Sequence, residues 1–222
     1  TKFIQRDEYK NLFAKQYKNS LGNFSLLGHS RLVTNGFQHN NENNQPIIVP
    51  GLIGIHNGII TNEESILKNN KDIKRHSEVD TEIMLKLFKK NLDDSNFNIY
   101  KSTAKTFNEI KGSASLAIYF REIPNLLLST NTGALFYLSN SNNSFFAFAS
   151  EKFILKKLAK RKDFQTSIGE VKLSQLKAFS ALNLNINTLE NHTFSLTQNL
   201  KLDNNFLLKE TNQQKINNSF KI

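Results

Sequence analysis

The 222 residues carry no cysteine, a net charge of +10 and a pI near 9.7, with 38% hydrophobic residues. This length admits one domain, or one domain with a tail, and a real core; the missing cysteines exclude disulfides, thiolate metal sites and a thiol nucleophile on these residues. A basic excess points towards nucleic acid or acidic membrane, but here it is lysine mixed with asparagine and spread along the chain, so nucleic acid is not an expected partner. The longest apolar runs, such as 126–128 and 145–148, are too short to span a bilayer, and no membrane partner is expected. The charged, mixed first residues lack a signal-peptide pattern, which leaves the cytoplasm as the expected compartment.

Residues 1–20 read as a helix after an apolar start at Phe3 and Ile4, with Tyr9, Leu12, Phe13 and Tyr17 at helical spacing. The chain opens without methionine and is expected to be processed or a piece of a longer one. A strand is expected over 24–27, followed by Gly28-His29-Ser30-Arg31-Leu32-Val33-Thr34-Asn35-Gly36, in which Asn35-Gly36 marks a turn. Arg31, just past an apolar strand end, suits a surface position, a carboxylate partner or the α-carboxylate of a small substrate. Residues 38–44 are polar and loop-like, and Pro46 and Pro50 bracket Ile47, Ile48 and Val49.

The stretch 51–64 organises the rest. Leu52, Ile53 and Ile55 read as a buried strand that breaks at His56-Asn57-Gly58, three residues tolerant of a tight or left-handed backbone. Ile59 and Ile60 resume the apolar character, and Thr61 with Glu64 forms a capping box opening a short helix through Leu67. The turn is either a plain hairpin, or a device aiming the Asn57 amide and the Gly58 N–H at a developing oxyanion.

Residues 77–83 open the next helix, with Ile83, Met84, Leu87 and Phe88 on its buried face. Ser77 or Asp80 can cap it; the alternative for Asp80 is a carboxylate receiving a substrate ammonium. A helix near 103–111 stops at Gly112, and β-runs at 114–120, 126–129, 134–139 and 145–149, joined by turn residues, read as a meander. Ser150 can cap a basic amphipathic helix over 152–162 carrying Phe153, Ile154, Leu155 and Leu158, whose charges read as a solvated face. Alternation makes 178–186 a half-exposed strand, paired as a hairpin with 193–196. Residues 199–222 are polar and read as a linker or tail beyond a domain spanning 1–198. The five histidines lack zinc-like spacing, and no metal or cofactor is expected. The order of elements gives an α+β domain with two stacked sheets covered by helices.

Three islands in fixed order, Gly28-His29-Ser30-Arg31-Leu32-Val33-Thr34-Asn35-Gly36, His56-Asn57-Gly58 and Ser77-Glu78-Val79-Asp80-Thr81-Glu82, resemble the glutaminase domain of class II glutamine amidotransferases. These are N-terminal-nucleophile hydrolases, and the pattern is nearest to glucosamine-6-phosphate synthase and related sugar amidotransferases. Gly112-Ser113-Ala114-Ser115 and Ala149-Ser150-Glu151 match later landmarks, so the resemblance covers about 24–158. It implies a four-layer αββα sandwich and hydrolysis of glutamine to glutamate and ammonia. The ammonia would pass to an acceptor, with the pattern leaning towards a sugar, through a synthase domain on the same chain or a partner subunit.

By the same resemblance Arg31 holds the glutamine α-carboxylate and Asp80 its α-ammonium. Thr34, Asn35 and His56 belong to the substrate-binding set, and Asn57 with Gly58 forms the oxyanion hole. Where Asn35 and Leu32 stand, the glucosamine synthases carry histidine and tryptophan. The family's nucleophile is an N-terminal cysteine, and only 31 − 1 = 30 positions separate Arg31 from Thr1. That is too few for the family's first two strands and the helix between them, so the domain is expected to lack its first strands and to be inactive as it stands. Thr1 is the nucleophile type of other members of the fold, but Lys2-Phe3-Ile4-Gln5-Arg6-Asp7 is too charged for a buried central strand. The alternative is a catalytically inactive relative that binds an amino acid or serves as an interaction module.

Overall fold

Strands of three to nine residues, most of them apolar runs separated by turn residues, build two antiparallel sheets. The computed structural model describes residues 24–30 and 41–197, with Asp7, Lys10, Asn11, Ala14 and Lys15 as helical positions near the start. A 3-10 turn at Asn41–Asn43 precedes β1 (Ile47–Val49) and β2 (Leu52–Ile60). Helices α1 (Glu63–Asn69), α2 (Asp80–Asp94) and α3 (Ile99–Glu109) follow, then β3 (Gly112–Phe120), β4 (Asn125–Thr130), β5 (Phe136–Ser139) and β6 (Phe146–Ala149). Helices α4 (Lys152–Ala159) and α5 (Lys162–Ile168) precede β7 (Lys172–Gln175), β8 (Ser180–Asn185) and β9 (Asn191–Ser195).

The larger sheet runs β1-β2-β3-β4-β8-β9 and the smaller β6-β5-β7. Alternation along each strand gives every sheet two faces. One face of the larger sheet, with Leu52, Leu116, Ile118 and Leu127, packs against Ile83, Met84, Leu87 and Phe88 of α2 and against α3. Its other face, with Ile55, Ala117, Leu128, Leu182 and Leu184, meets Leu135, Leu176 and Tyr137 around the smaller sheet. Helix α4 packs on β5 and β6 and buries only Leu155. The layers therefore run helices, sheet, sheet, helices, as the element order and the resemblance imply.

Several local expectations give way. Residues 24–27 form no strand, and Phe24 and Leu26 stand 56% and 62% exposed. β2 does not break at His56-Asn57-Gly58: all of Leu52–Ile60 pairs with β3, from Leu52↔Phe120 to Ile60↔Gly112. The ladder outweighs the local turn preference of Asn-Gly. The capping box at Thr61 does not form, because the Thr61 hydroxyl donates to Lys111 O and the N-cap is Asn62, whose amide bridges Glu109 O and Lys111 N. Neither Ser77 nor Asp80 caps α2, whose N-cap is Val79, and Glu151 rather than Ser150 precedes α4.

The meander is split: β3 and β4 are neighbours in one sheet, β5 and β6 in the other. Phe153 and Ile154, expected on the buried side of the basic helix, are 62% and 46% exposed. Strand β7 and helix α5 were not foreseen. Most of the expected helix over 1–20, residues 31–40, and the boundary and tail from 198 to 222 lie outside the described residues. Among the described residues, no helix is long and apolar enough to cross a membrane, and no cluster of His, Cys, Asp and Glu could hold a metal ion.

Candidate active site

β1 pairs with β2 only from Leu52 to Gly54, which leaves the next stretch of β2 without a strand on that edge. Gln45 fills the gap. Its amide accepts from His56 N–H at 2.5 Å and donates to His56 O at 3.0 Å, reproducing both bonds that a neighbouring strand would make. Two residues earlier, fully buried Asn43 repeats the device on the third island: it donates to Glu78 Oε2 at 2.8 Å and accepts from Glu78 N–H at 2.9 Å. One short polar segment thus ties the His56-Asn57-Gly58 island to the approach of α2.

Alternation sends His56 towards α2 and Asn57 to the opposite face, in line with Ile55 and Ile59. The His56 side chain is 1% exposed. Its Nδ1 lies 3.5 Å from Thr81 Oγ1 and 3.6 Å from Asp80 Oδ1, and its Nε2 lies 3.4 Å from Ser113 O. Asp80, the first residue of α2, accepts the Ile60 N–H at 2.9 Å through Oδ2. Burial pushes the Asp80 carboxyl up, but the hydrogen bond and charge of His56, with the Ile60 and Thr81 N–H groups, outweigh it and hold the carboxyl below its ordinary value. The result is an ionised carboxylate at the end of β2 whose side chain keeps 14% exposure.

Gly58 adopts φ +148°, and a Cβ there would sit 2.0 Å from Ser113 O and 2.9 Å from His56 Nε2. Asn57 and Gly58 are exposed, and the Asn57 amide has no hydrogen-bond partner among the described residues, so its donors remain available. Beside Asn57 in register, Ser115 meets Thr130 at 2.9 Å between hydroxyls.

Glu82 holds the loop before α2. It accepts from Ser77 N–H at 2.7 Å, the Ser77 hydroxyl at 2.8 Å, His76 N–H at 3.0 Å and Lys86 Nζ at 2.6 Å. Burial raises its carboxyl, but the Lys86 ammonium, the Ser77 and His76 N–H groups and the Ser77 hydroxyl overcome this and bring it to about 2.

Of the expected site residues, the structure gathers His56, Asn57, Gly58 and Asp80 around the end of β2, with Asn57 on the face away from His56. Arg31, Thr34 and Asn35 lie outside the described residues. Gln45, Asn43 and Thr81 escaped sequence reasoning; an amide in a polar loop carries no mark of what it will clamp. Two grooves of about 450 and 470 Å³ run beside β1 and α2 and share Val49, Pro50, His76 and Lys86; neither is lined by Asn57 or Asp80.

A family described as glutamine amidotransferase domain matches residues 29–157, more than half of the chain and all three islands save Gly28. The chain belongs to this family. This amidotransferase domain is 30% identical over 125 residues to the glutamine–fructose-6-phosphate aminotransferase of Fusobacterium nucleatum, covering 50% of the chain and 19% of that protein. To the enzyme of the same name from Helicobacter pylori it is 27% identical over 222 residues, covering 96% of the chain and 35% of that protein. The domain therefore spans between about a fifth and a third of these relatives.

Among solved structures it resembles glutamine phosphoribosylpyrophosphate amidotransferase from B. subtilis, with a TM-score of 0.54 and 16% identity over 74% of the chain and 34% of that protein. A structure of the allosteric regulatory enzyme of purine biosynthesis gives a TM-score of 0.53 and 17% identity, over 72% of the chain and 32% of that protein. At such identity these neighbours establish the fold, the αββα sandwich of class II amidotransferases.

Proposed function

We propose that this domain is the glutaminase part of a glutamine amidotransferase, releasing ammonia for an acceptor that its fructose-6-phosphate relatives point to as a sugar. The observation that carries the reading is Asp80, an ionised and partly exposed carboxylate fixed at the end of β2 by Ile60 N–H and His56. A carboxylate so anchored keeps its charge and its place for an α-ammonium. Arg31 takes the α-carboxylate at the other end of the zwitterion, and Thr34 and Asn35 line the pocket between. His56 acts from behind Asp80 and does not itself reach substrate. The free Asn57 amide and the Gly58 backbone donate to the oxygen that gains charge when the side-chain amide is attacked.

Ammonia then passes to a synthase domain, on the same polypeptide or a partner subunit, in the cytoplasm. The attacking thiol is not among these 222 residues. Glutamate release by the chain alone should stay at background and be unchanged by Thr1→Ala. Adding an amino-terminal strand that begins with cysteine should produce release that a serine in its place abolishes. A correctly folded extended chain without release would remove the reading.

A further inference from the structure

Helix α4 carries a surface that its packing does not explain. Leu155 is its only buried residue, and Phe153, two positions away, lies about 200° round the helix from it and points outward. Phe153 is 62% exposed and its neighbour Ile154 is 46% exposed. Around them stand Lys152, Lys156, Lys157, Lys160 and Lys162, all exposed and none with a carboxylate partner among the described residues. The one arginine of this stretch, Arg161, is already paired with Asp163 at 2.5 Å. Two large apolar side chains inside a ring of unpaired lysines are costly to leave in water unless something covers them.

We propose that α4 docks on an anionic lipid bilayer, with Phe153 and Ile154 entering the interface and the lysines meeting headgroup phosphates. Charge complementarity argues for an acidic partner, and three features favour lipid over protein or nucleic acid. The patch is a convex helix face, which suits a plane better than a groove. Its free cations are all lysine, whose long apolar stem and compact hydrated head suit the headgroup region, whereas protein interfaces enrich arginine and deplete lysine. A single phenylalanine directed straight outward offers no platform on which successive bases could stack. The expectation of no membrane partner rested on the lack of long apolar runs, which a helix lying on a surface does not need.

The 222 residues contain no tryptophan, so Phe153→Trp provides a single-tryptophan reporter in this chain. Its emission should shift to the blue with vesicles of phosphatidylcholine holding about 30% phosphatidylglycerol, but not with phosphatidylcholine alone. The shift should fade as salt rises from about 50 to about 500 mM. In co-sedimentation, Phe153→Ser with Ile154→Ser should weaken binding by about tenfold or more. Lys156→Glu with Lys157→Glu should abolish it. All four side chains are exposed, so folding, checked by circular dichroism, should be unchanged in both variants. No blue shift on acidic vesicles at low salt would overturn the proposal. So would equal binding by the double serine variant, since dispersed charge would then account for it. A shift with polyglutamate but not with vesicles would assign the patch to an acidic polypeptide and overturn it as well.

Discussion

A methyl group at residue 58 would have nowhere to go. It would meet Ser113 O at 2.0 Å, a backbone atom held by the β2–β3 ladder, and φ +148° is strained for any side chain. Gly58→Ala should therefore destabilise the domain by about 2–4 kcal/mol in urea unfolding. A loss below about 0.5 kcal/mol, the range of ordinary surface changes, would show that the strand relaxes there. The sequence marked Gly58 as special, but for a turn; the actual need is close approach of a neighbouring strand, which only the paired backbone reveals. Asp80 is the opposite case. Its two readings, helix cap or ligand for an ammonium, were both written in the sequence, and its true partners, Ile60 N–H and His56, could not be, since they come from another element.

Helix α2 shows what the element scale adds. Its buried face was legible from the spacing of Ile83, Met84, Leu87 and Phe88, because a 3.6-residue period is intrinsic to the chain. Its start was not, because the loop before it is fixed by Glu82 reaching back rather than by a cap. The depressed Glu82 carboxyl gives this a pH signature. The folded carboxyl titrates at about 2 and the unfolded one near 4.5, so the unfolded state binds more protons across that window and stability rises with pH there. The contribution is complete above the unfolded value and is lost as pH falls from about 4.5 towards 2. Urea unfolding of Glu82→Gln should be weaker than that of the parent at pH 6 and should approach it near pH 2. An equal deficit at both pH values would mean that the carboxylate charge is not what holds the loop. Strand β7 was missed for a different reason: Lys172, Leu173, Ser174 and Gln175 hold little apolar surface, and pairing with β5 rather than pattern makes them a strand.

At the scale of the whole molecule, the layer order was readable because helices and strands segregate along the chain. How the β-runs divide between a six-stranded and a three-stranded sheet was not, since Leu135, Tyr137 and Leu176 look alike whichever sheet their strand joins. The candidate site was legible as three separate islands; the joining of the second to the third depends on the Gln45 and Asn43 clamps, which sequence does not announce. The central claim is that Asn57 and Asp80 serve one glutamine in two different ways. Steady-state kinetics of the cysteine-extended chain tests it. Asn57→Ala should lower kcat by about 10²–10³ with KM little changed, since an oxyanion donor acts on charge that appears in the transition state. Asp80→Asn should raise KM and leave most of kcat, and Arg31→Lys should do the same by replacing a fork with a point charge. If Asn57→Ala instead alters KM alone, or if Asp80→Asn leaves KM at the parent value, the assignment of the site is wrong.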